Sequence, residues 1–294
     1  MLNGLKVQII IGMKILIKNV GFIGDNLFAL SLAPKLKEQF GATVDYVLSI
    51  HQPLELYNND PYVNEVFLFE CPNEKEYDKV ISLRPINRQE TPCIQFQNQC
   101  DIKYPSSNFN VYTNKSYDQY IDWVFESYQD KIKVAILSNW EERSFLFTEE
   151  QYKAGIDVPN LGYGGAHRSI SYIYSELSKN QNLMLIPVGK GNNYNQREID
   201  LNAIAEYSLT ASLIKGCDYF IGAEGGLANL AAGVGTKTIL TSDFVHQLYG
   251  WNGVIEKNEI PKLGPSHYFE TGHIDLDPYL TDEEIVQQLN NLLV

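Results

Sequence analysis

Along the chain, short apolar runs alternate with stretches whose apolar residues recur at helical spacing, the pattern of parallel α/β units. Lys14 to Val20 reads as a first strand. Leu27, Leu30, Leu32, Ala33, Leu36 and Phe40 then keep helical spacing as far as Gly41, a residue suited to stopping a helix. Thr43 to Ile50 reads as a second strand. Glu65 to Phe69 and Lys79 to Leu83 follow as two more, after the turn signal Asn59-Asp60-Pro61. From Arg84 to Ser116 the chain is rich in Asn, Gln, Pro and Ser and shows no period that assigns it. Tyr117 to Tyr128 has a helical pattern and leads into a strand, Ile132 to Leu137.

That strand opens a second half built like the first. Ile170, Ile173, Tyr174 and Leu177 predict a helix before the strand Leu183 to Val188. A helix through Leu209, Leu213 and Ile214 precedes the strand Asp218 to Ile221, and Thr238 to Thr241 is one more. Thr281-Asp282-Glu283-Glu284 is a capping-box signature ahead of a last helix carrying Ile285, Val286, Leu289, Leu292 and Leu293. The expectation is α/β, with two Rossmann-like domains facing each other across a cleft: 13–130 and 131–294, after an extension over 1–12 ahead of the second methionine, Met13.

The length of 294 residues fits two domains at roughly 100–200 residues each. Charge changes the picture more. Thirty-six Asp and Glu against 23 Lys and Arg leave −13 at pH 7, so coating of nucleic acid is excluded as a default. Any phosphate must be held by local geometry. No run approaches the ~18 apolar residues that span a bilayer, and the opening stretch has no cleavage site of a signal peptide. Cys71, Cys93, Cys100 and Cys217 form no Cys-x-x-Cys pair, which points to a reducing, cytoplasmic compartment. The five histidines (His51, His167, His246, His267, His273) make no His-x-x-x-His pair, so no metal site is expected.

Two turns carry candidate chemistry. Gly21-Phe22-Ile23-Gly24-Asp25-Asn26-Leu27 lies between the first strand and its helix, at the strand end where open parallel sheets bind ligands. It lacks the complete dinucleotide fingerprint, since Asn19 stands at the first glycine position, and no phosphate-loop Gly-Lys-Ser/Thr is present. Asp25 is read either as a helix N-cap or as a general base aimed into the crevice. The second turn is Gly222-Ala223-Glu224-Gly225-Gly226-Leu227-Ala228-Asn229, where glycines permit close backbone approach and the helix start can hold a diphosphate. Glu224 is placed to accept hydrogen bonds from vicinal hydroxyls; tight helix–sheet packing is the competing explanation. Tyr249-Gly250-Trp251 offers rings to stack on a base or sugar, and Asp275 and Asp277 read as a solvated turn.

With Pro34 after Gly24-Asp25-Asn26-Leu27, Asn59-Asp60-Pro61 before an apolar strand, Tyr77-Asp78 before another, and Glu224-Gly225-Gly226-Leu227-Ala228-Asn229-Leu230-Ala231, the chain resembles glycosyltransferase family 9, the heptosyltransferase-like enzymes of the GT-B fold. The match covers most of 13–83 and 200–245. The family's Asp-Thr-Gly-x-x-His-Leu-Ala segment is altered here, with Glu224 for Asp, Gly225 for Thr and Asn229 for His. The resemblance implies an acceptor-side domain over 13–130, a donor domain over 131–294, and a last helix packed back on the first domain. It implies transfer of a hexose- or heptose-like sugar from a nucleotide-diphosphate sugar to a hydroxyl of a glycan or glycolipid, with inversion and no cofactor or metal. Asp25 would be the general base, and Gly24 and Asn26 would flank the acceptor. Glu224, Gly225, Gly226 and Asn229 would hold the donor, with Arg168 and then Lys190 as the cation on its diphosphate. A lipid-linked acceptor would bring peripheral contact with the inner membrane face. A nucleotide-sugar epimerase of the same fold and a non-catalytic sugar-nucleotide-binding protein are the alternatives.

Overall fold

The computed structural model describes residues 12–19, 23–48, 53–71, 73–84, 92–137, 170–189, 206–223, 225–242, 273–276 and 280–294. Its strands form two parallel sheets. The first contains β1 (Lys14–Asn19), β2 (Thr43–Leu48), β3 (Val63–Leu68) and β4 (Lys79–Leu83), in the order β3-β2-β1-β4. The second contains β5 (Ile132–Leu137), β6 (Leu183–Val188), β7 (Tyr219–Ala223), β8 (Lys237–Ser242) and β9 (Ile274–Asp275), in the order β6-β5-β7-β8-β9. In each sheet the strand order turns back on itself next to the first strand: between β1 and β4, and between β5 and β7. Crevices open at such switch points, outside the carboxyl ends of the strands.

The expected Leu27–Phe40 helix is two helices. α1 (Ile23–Leu30) stops at Ser31, and α2 (Leu32–Phe40) restarts at once. Pro34 explains the break: it has no N–H to donate to the carbonyl of Leu30, and its ring crowds that carbonyl, so it sits in a first turn instead. Ser31 closes α1 by donating its hydroxyl to the Phe28 carbonyl at 2.6 Å. Gly41 ends α2 in the left-handed conformation at φ 62°, with its N–H on the Lys37 carbonyl and that of Ala42 on the Leu36 carbonyl.

Four further departures follow. α3 (Leu54–Asn59) is too short to show a period, and β3 ends at Leu68 because Phe69 turns to φ 72°. α4 (Pro92–Gln99) lies inside the polar stretch that carried no period. It buries Gln95 and Gln97 along with Cys93 and Phe96, and Gln97 both accepts from the Ser106 N–H and donates to its carbonyl, each at 2.8 Å. Asp275, expected in a solvated turn, belongs to the edge strand β9.

The remaining helices are α5 (Lys115–Phe125), α6 (Ile170–Leu177), α7 (Tyr207–Lys215), α8 (Gly226–Gly233) and α9 (Asp282–Leu292). Both halves of the expected capping box form in α9, which packs against α6. α5 packs on α7, where Gly216 leaves room for Ile121 and Phe125: an added Cβ would stand 2.8 Å and 3.0 Å from them. One continuous apolar core joins both sheets, with Ile15, Ile17, Tyr46, Val134, Phe220 and Ile239 essentially inaccessible. Cys71, Cys93, Cys100 and Cys217 are buried free thiols, and burial pushes that of Cys100 up to about 12. Among the described residues no helix is long and apolar enough to cross a membrane.

Candidate functional site

The helix after β1 and the helix after β7 pack directly on each other. These are the two helices that start at the switch-point crevices, so the two turns singled out in the sequence meet in space. Gly24 and Asn229 lie at this junction: a Cβ added at Gly24 would lie 3.4 Å from the Asn229 Nδ2. A side chain at position 24 would thus stand in van der Waals contact with Asn229, so the two helix starts are neighbours.

On the first side, Asp25 is half-buried in the first turn of α1, at its third residue. It is therefore inside the helix, not at the N-cap position, although a carboxylate there still interacts favourably with the helix dipole. Asn26 behind it is inaccessible, and the Tyr57 hydroxyl donates to its backbone carbonyl at 3.0 Å and lies 3.2 Å from its Oδ1. Tyr57 in turn packs edge-on against Tyr46, ring centroids 4.8 Å apart, and Tyr46 donates to the Ala29 carbonyl at 2.8 Å. Two buried tyrosines from β2 and α3 thus anchor the backbone of α1, the helix that carries Asp25. Sequence reading missed both, although two aromatic hydroxyls within a core pattern signal a need for buried acceptors.

On the second side, Gly225 holds φ 151° and ψ −167°, a conformation open in practice to glycine alone. It has no side chain to cap α8, and among the described residues no side chain caps it, so the first amides of that helix can serve as donors and the dipole favours an anion at the same place. Gly226 begins the helix, buried, and Asn229 closes its first turn with an N–H to the Gly225 carbonyl at 2.9 Å. The Asn229 side chain is 2% exposed, and its Oδ1 has no hydrogen-bond partner among the described residues. An acceptor atom buried unpaired costs stability and is tolerated where a ligand or water uses it. Glu224, Arg168 and Lys190 lie outside the described residues, as does Tyr249-Gly250-Trp251. Among the described residues no cluster of three His, Cys, Asp or Glu could hold a metal ion.

The two halves are also tied at their margin. Phe109 packs edge-on against Phe28 of α1, with centroids 5.6 Å apart, and the Val111 N–H donates to the Gly233 carbonyl at 2.8 Å. Asn59 at the end of α3 donates to the Ser208 hydroxyl at 2.7 Å, and Tyr117 donates to the Glu206 carboxylate at 2.8 Å. Phe109–Val111 is therefore a strap from the end of α8 to the flank of α1.

Two parallel sheets with their switch points brought face to face by the helices after β1 and β7 are a known architecture. The fold is GT-B. A glycosyl transferase family 9 protein from Veillonella parvula superposes with a TM-score of 0.57 over 96% of this chain and 97% of its own, at 9% identity. The E. coli ADP-heptose lipopolysaccharide heptosyltransferase II gives 0.52 over 96% and 98%, at 13% identity. An E. coli heptosyltransferase solved with ADP gives 0.54 over 95% and 99%, at 11% identity. No family model and no curated protein matches the sequence. The GT-B likeness is one of fold, carried by strand order and helix placement over the whole chain.

Proposed function

We propose that the protein is a glycosyltransferase that moves a sugar from a nucleoside-diphosphate sugar to a hydroxyl acceptor. The observation that carries this reading is the meeting of the first turns of α1 and α8, seen in the Gly24–Asn229 contact. In this reading the helix turn that carries Asp25 works with the N-terminus of α8, Gly225–Asn229, which none of the described side chains caps. The superposed heptosyltransferases, one solved with ADP, support the same assignment.

Asp25 takes the proton of the acceptor hydroxyl as its oxygen bonds to the anomeric carbon. The bond from that carbon to the diphosphate breaks, its electron pair leaves with the diphosphate, and direct displacement inverts the centre. The amides at the start of α8 stabilise the charge that develops on the leaving group, and the Asn229 Oδ1 accepts from a donor hydroxyl or base amine. Glu224 binds sugar or ribose hydroxyls, and Arg168 or Lys190 supplies the cation that a chain of net charge −13 needs against a diphosphate. Gly24 and Asn26 flank Asp25 on the acceptor side, Gly24 next to Asn229 and Asn26 anchored by the Tyr57 hydroxyl. No metal takes part in this scheme. The acceptor is a glycan or glycolipid, met in the cytoplasm or at the inner membrane face.

Release of nucleoside diphosphate from a panel of nucleotide sugars, with and without hydroxyl acceptors, tests it. Acceptor-dependent release is expected, and Asp25→Asn should lower turnover by roughly 10²- to 10⁴-fold. Full turnover in that variant would remove Asp25 from the chemistry. Conversion of the sugar without an acceptor would favour an epimerase, and binding without turnover a non-catalytic role.

A further inference from the structure

A second concave surface lies at the opposite end of α8. Over eight residues that helix is about 12 Å long, so this surface is well separated from Gly225. It has two parts. A pocket of about 570 Å³ at the amino ends of β5, β7 and β8 is lined by Lys131, Lys133, Lys215 and Lys237, together with Asp130 and Asp218. A neighbouring pocket of about 520 Å³ is lined by Asn108, Asn110, Tyr112 and His273 among others. Gly235 and Lys237 line both, so the two pockets adjoin along one stretch of backbone.

Four lysines around one pocket are unusual in a chain with 23 basic residues and a net charge of −13. Lys215 is committed to Asp118 at 2.7 Å and to the Thr113 hydroxyl at 2.9 Å. The Asp218 carboxylate accepts the backbone N–H of Lys133 at 2.8 Å. Among the described residues, Lys131, Lys133 and Lys237 pair with no carboxylate. Each lies instead over a ring, of Tyr128, Phe125 and Tyr219 respectively. Such a ring steadies an ammonium group without neutralising it.

The second pocket has a different chemistry. Phe109 and Val111 are buried, so the alternate residues Asn108 and Asn110 are turned out to solvent along an extended strap. His273 is held at the opposite wall by the Thr238 hydroxyl. At the junction Gly235 leaves the backbone bare, and nothing lies within 4 Å of where its Cβ would be. Planar amides, an imidazole, a tyrosine and open backbone suit the hydroxyls and faces of sugar rings, and the adjoining lysines suit acidic substituents.

We infer that this groove binds an acidic saccharide, its acid groups on Lys131, Lys133 and Lys237 and its hydroxyls on Asn108 and Asn110. The inference stands apart from the transferase reading, and its test reads binding alone. Calorimetry at fixed ionic strength compares tetragalacturonate, maltotetraose and inorganic phosphate. The acidic tetrasaccharide should bind at least tenfold more tightly than either. A Lys131→Gln/Lys133→Gln/Lys237→Gln variant should lose tenfold or more of that affinity. Asn108→Ala/Asn110→Ala should lose several-fold, and both variants should keep the wild-type response to nucleoside diphosphates. Should the lysine variant melt early, the asparagine variant, altered only at exposed positions, decides. Equal affinity for phosphate with a silent asparagine variant would reduce the groove to a plain anion pocket and overturn the proposal. So would equal affinity for the neutral tetrasaccharide, or acidic binding that survives all of these substitutions.

Discussion

Replacing Asp60 with asparagine should stabilise the protein at neutral pH and leave it nearly unchanged in acid. Asp60 ends α3, the helix that carries Tyr57 to α1 and Asn59 to Ser208, so it lies in the joint beneath the candidate site. It is 4% exposed, and its Oδ1 accepts the Tyr62 N–H at 2.8 Å. Burial outweighs that hydrogen bond and raises its pKa from 3.8 to about 6. Between those values the folded protein keeps a proton that the unfolded chain has released, so stability falls as pH rises through the window. A shift of about two units corresponds to about 3 kcal/mol, lost in full above the folded value. Asparagine keeps the Oδ1 acceptor and carries no charge. Urea unfolding should therefore show the variant gaining on the wild type by about 3 kcal/mol between about pH 3.5 and about pH 7.5. Parallel stability profiles across that range would refute the reasoning and mean that Asp60 ionises in the fold without cost.

Tyr57→Phe leaves the Asn26 carbonyl without its buried donor; unfolding should register a loss of roughly 1–3 kcal/mol, and turnover should fall more than nucleotide binding. Gly233→Ala places a Cβ 2.6 Å from Val111 Cγ2 and 2.8 Å from the Phe109 ring, so the strap must shift; a loss of about 1–3 kcal/mol with faster amide exchange at Val111 is expected. Gly225→Thr restores the residue type of the resembled family but forces it to φ 151°, which should lower stability by roughly 1–3 kcal/mol in thermal or urea melts.

The parallel α/β organisation was legible because buried strands write continuous apolar runs. Ile132–Leu137, Leu183–Val188 and Lys79–Leu83 begin and end where the apolar pattern places them. What escaped was written in other terms. α4 is held by the Gln97 side-chain amide bonded to Ser106, which no hydrophobic period reports. The α1–α2 break depends on one missing N–H at Pro34, and β9 is two residues long. The two turns of the site were visible as glycine-rich strand ends. Their contact through Gly24 and Asn229 depends on tertiary packing, and the φ of Gly225 on how α8 begins. Gly225 in place of the family's threonine, which in sequence reads as a lost hydroxyl, is also a backbone conformation that threonine resists.

The division of labour between the two turns is tested most directly by thermal stabilisation with nucleoside diphosphates. A ligand at about 100 times its Kd adds about 2.7 kcal/mol to the folded state. Wild type and Asp25→Asn should both show that rise in Tm with at least one nucleoside diphosphate, whereas Gly225→Thr, measured from its own lower baseline, should show none. No rise with any nucleoside diphosphate in the wild type would contradict the account, as would a rise that vanishes in Asp25→Asn and persists in Gly225→Thr.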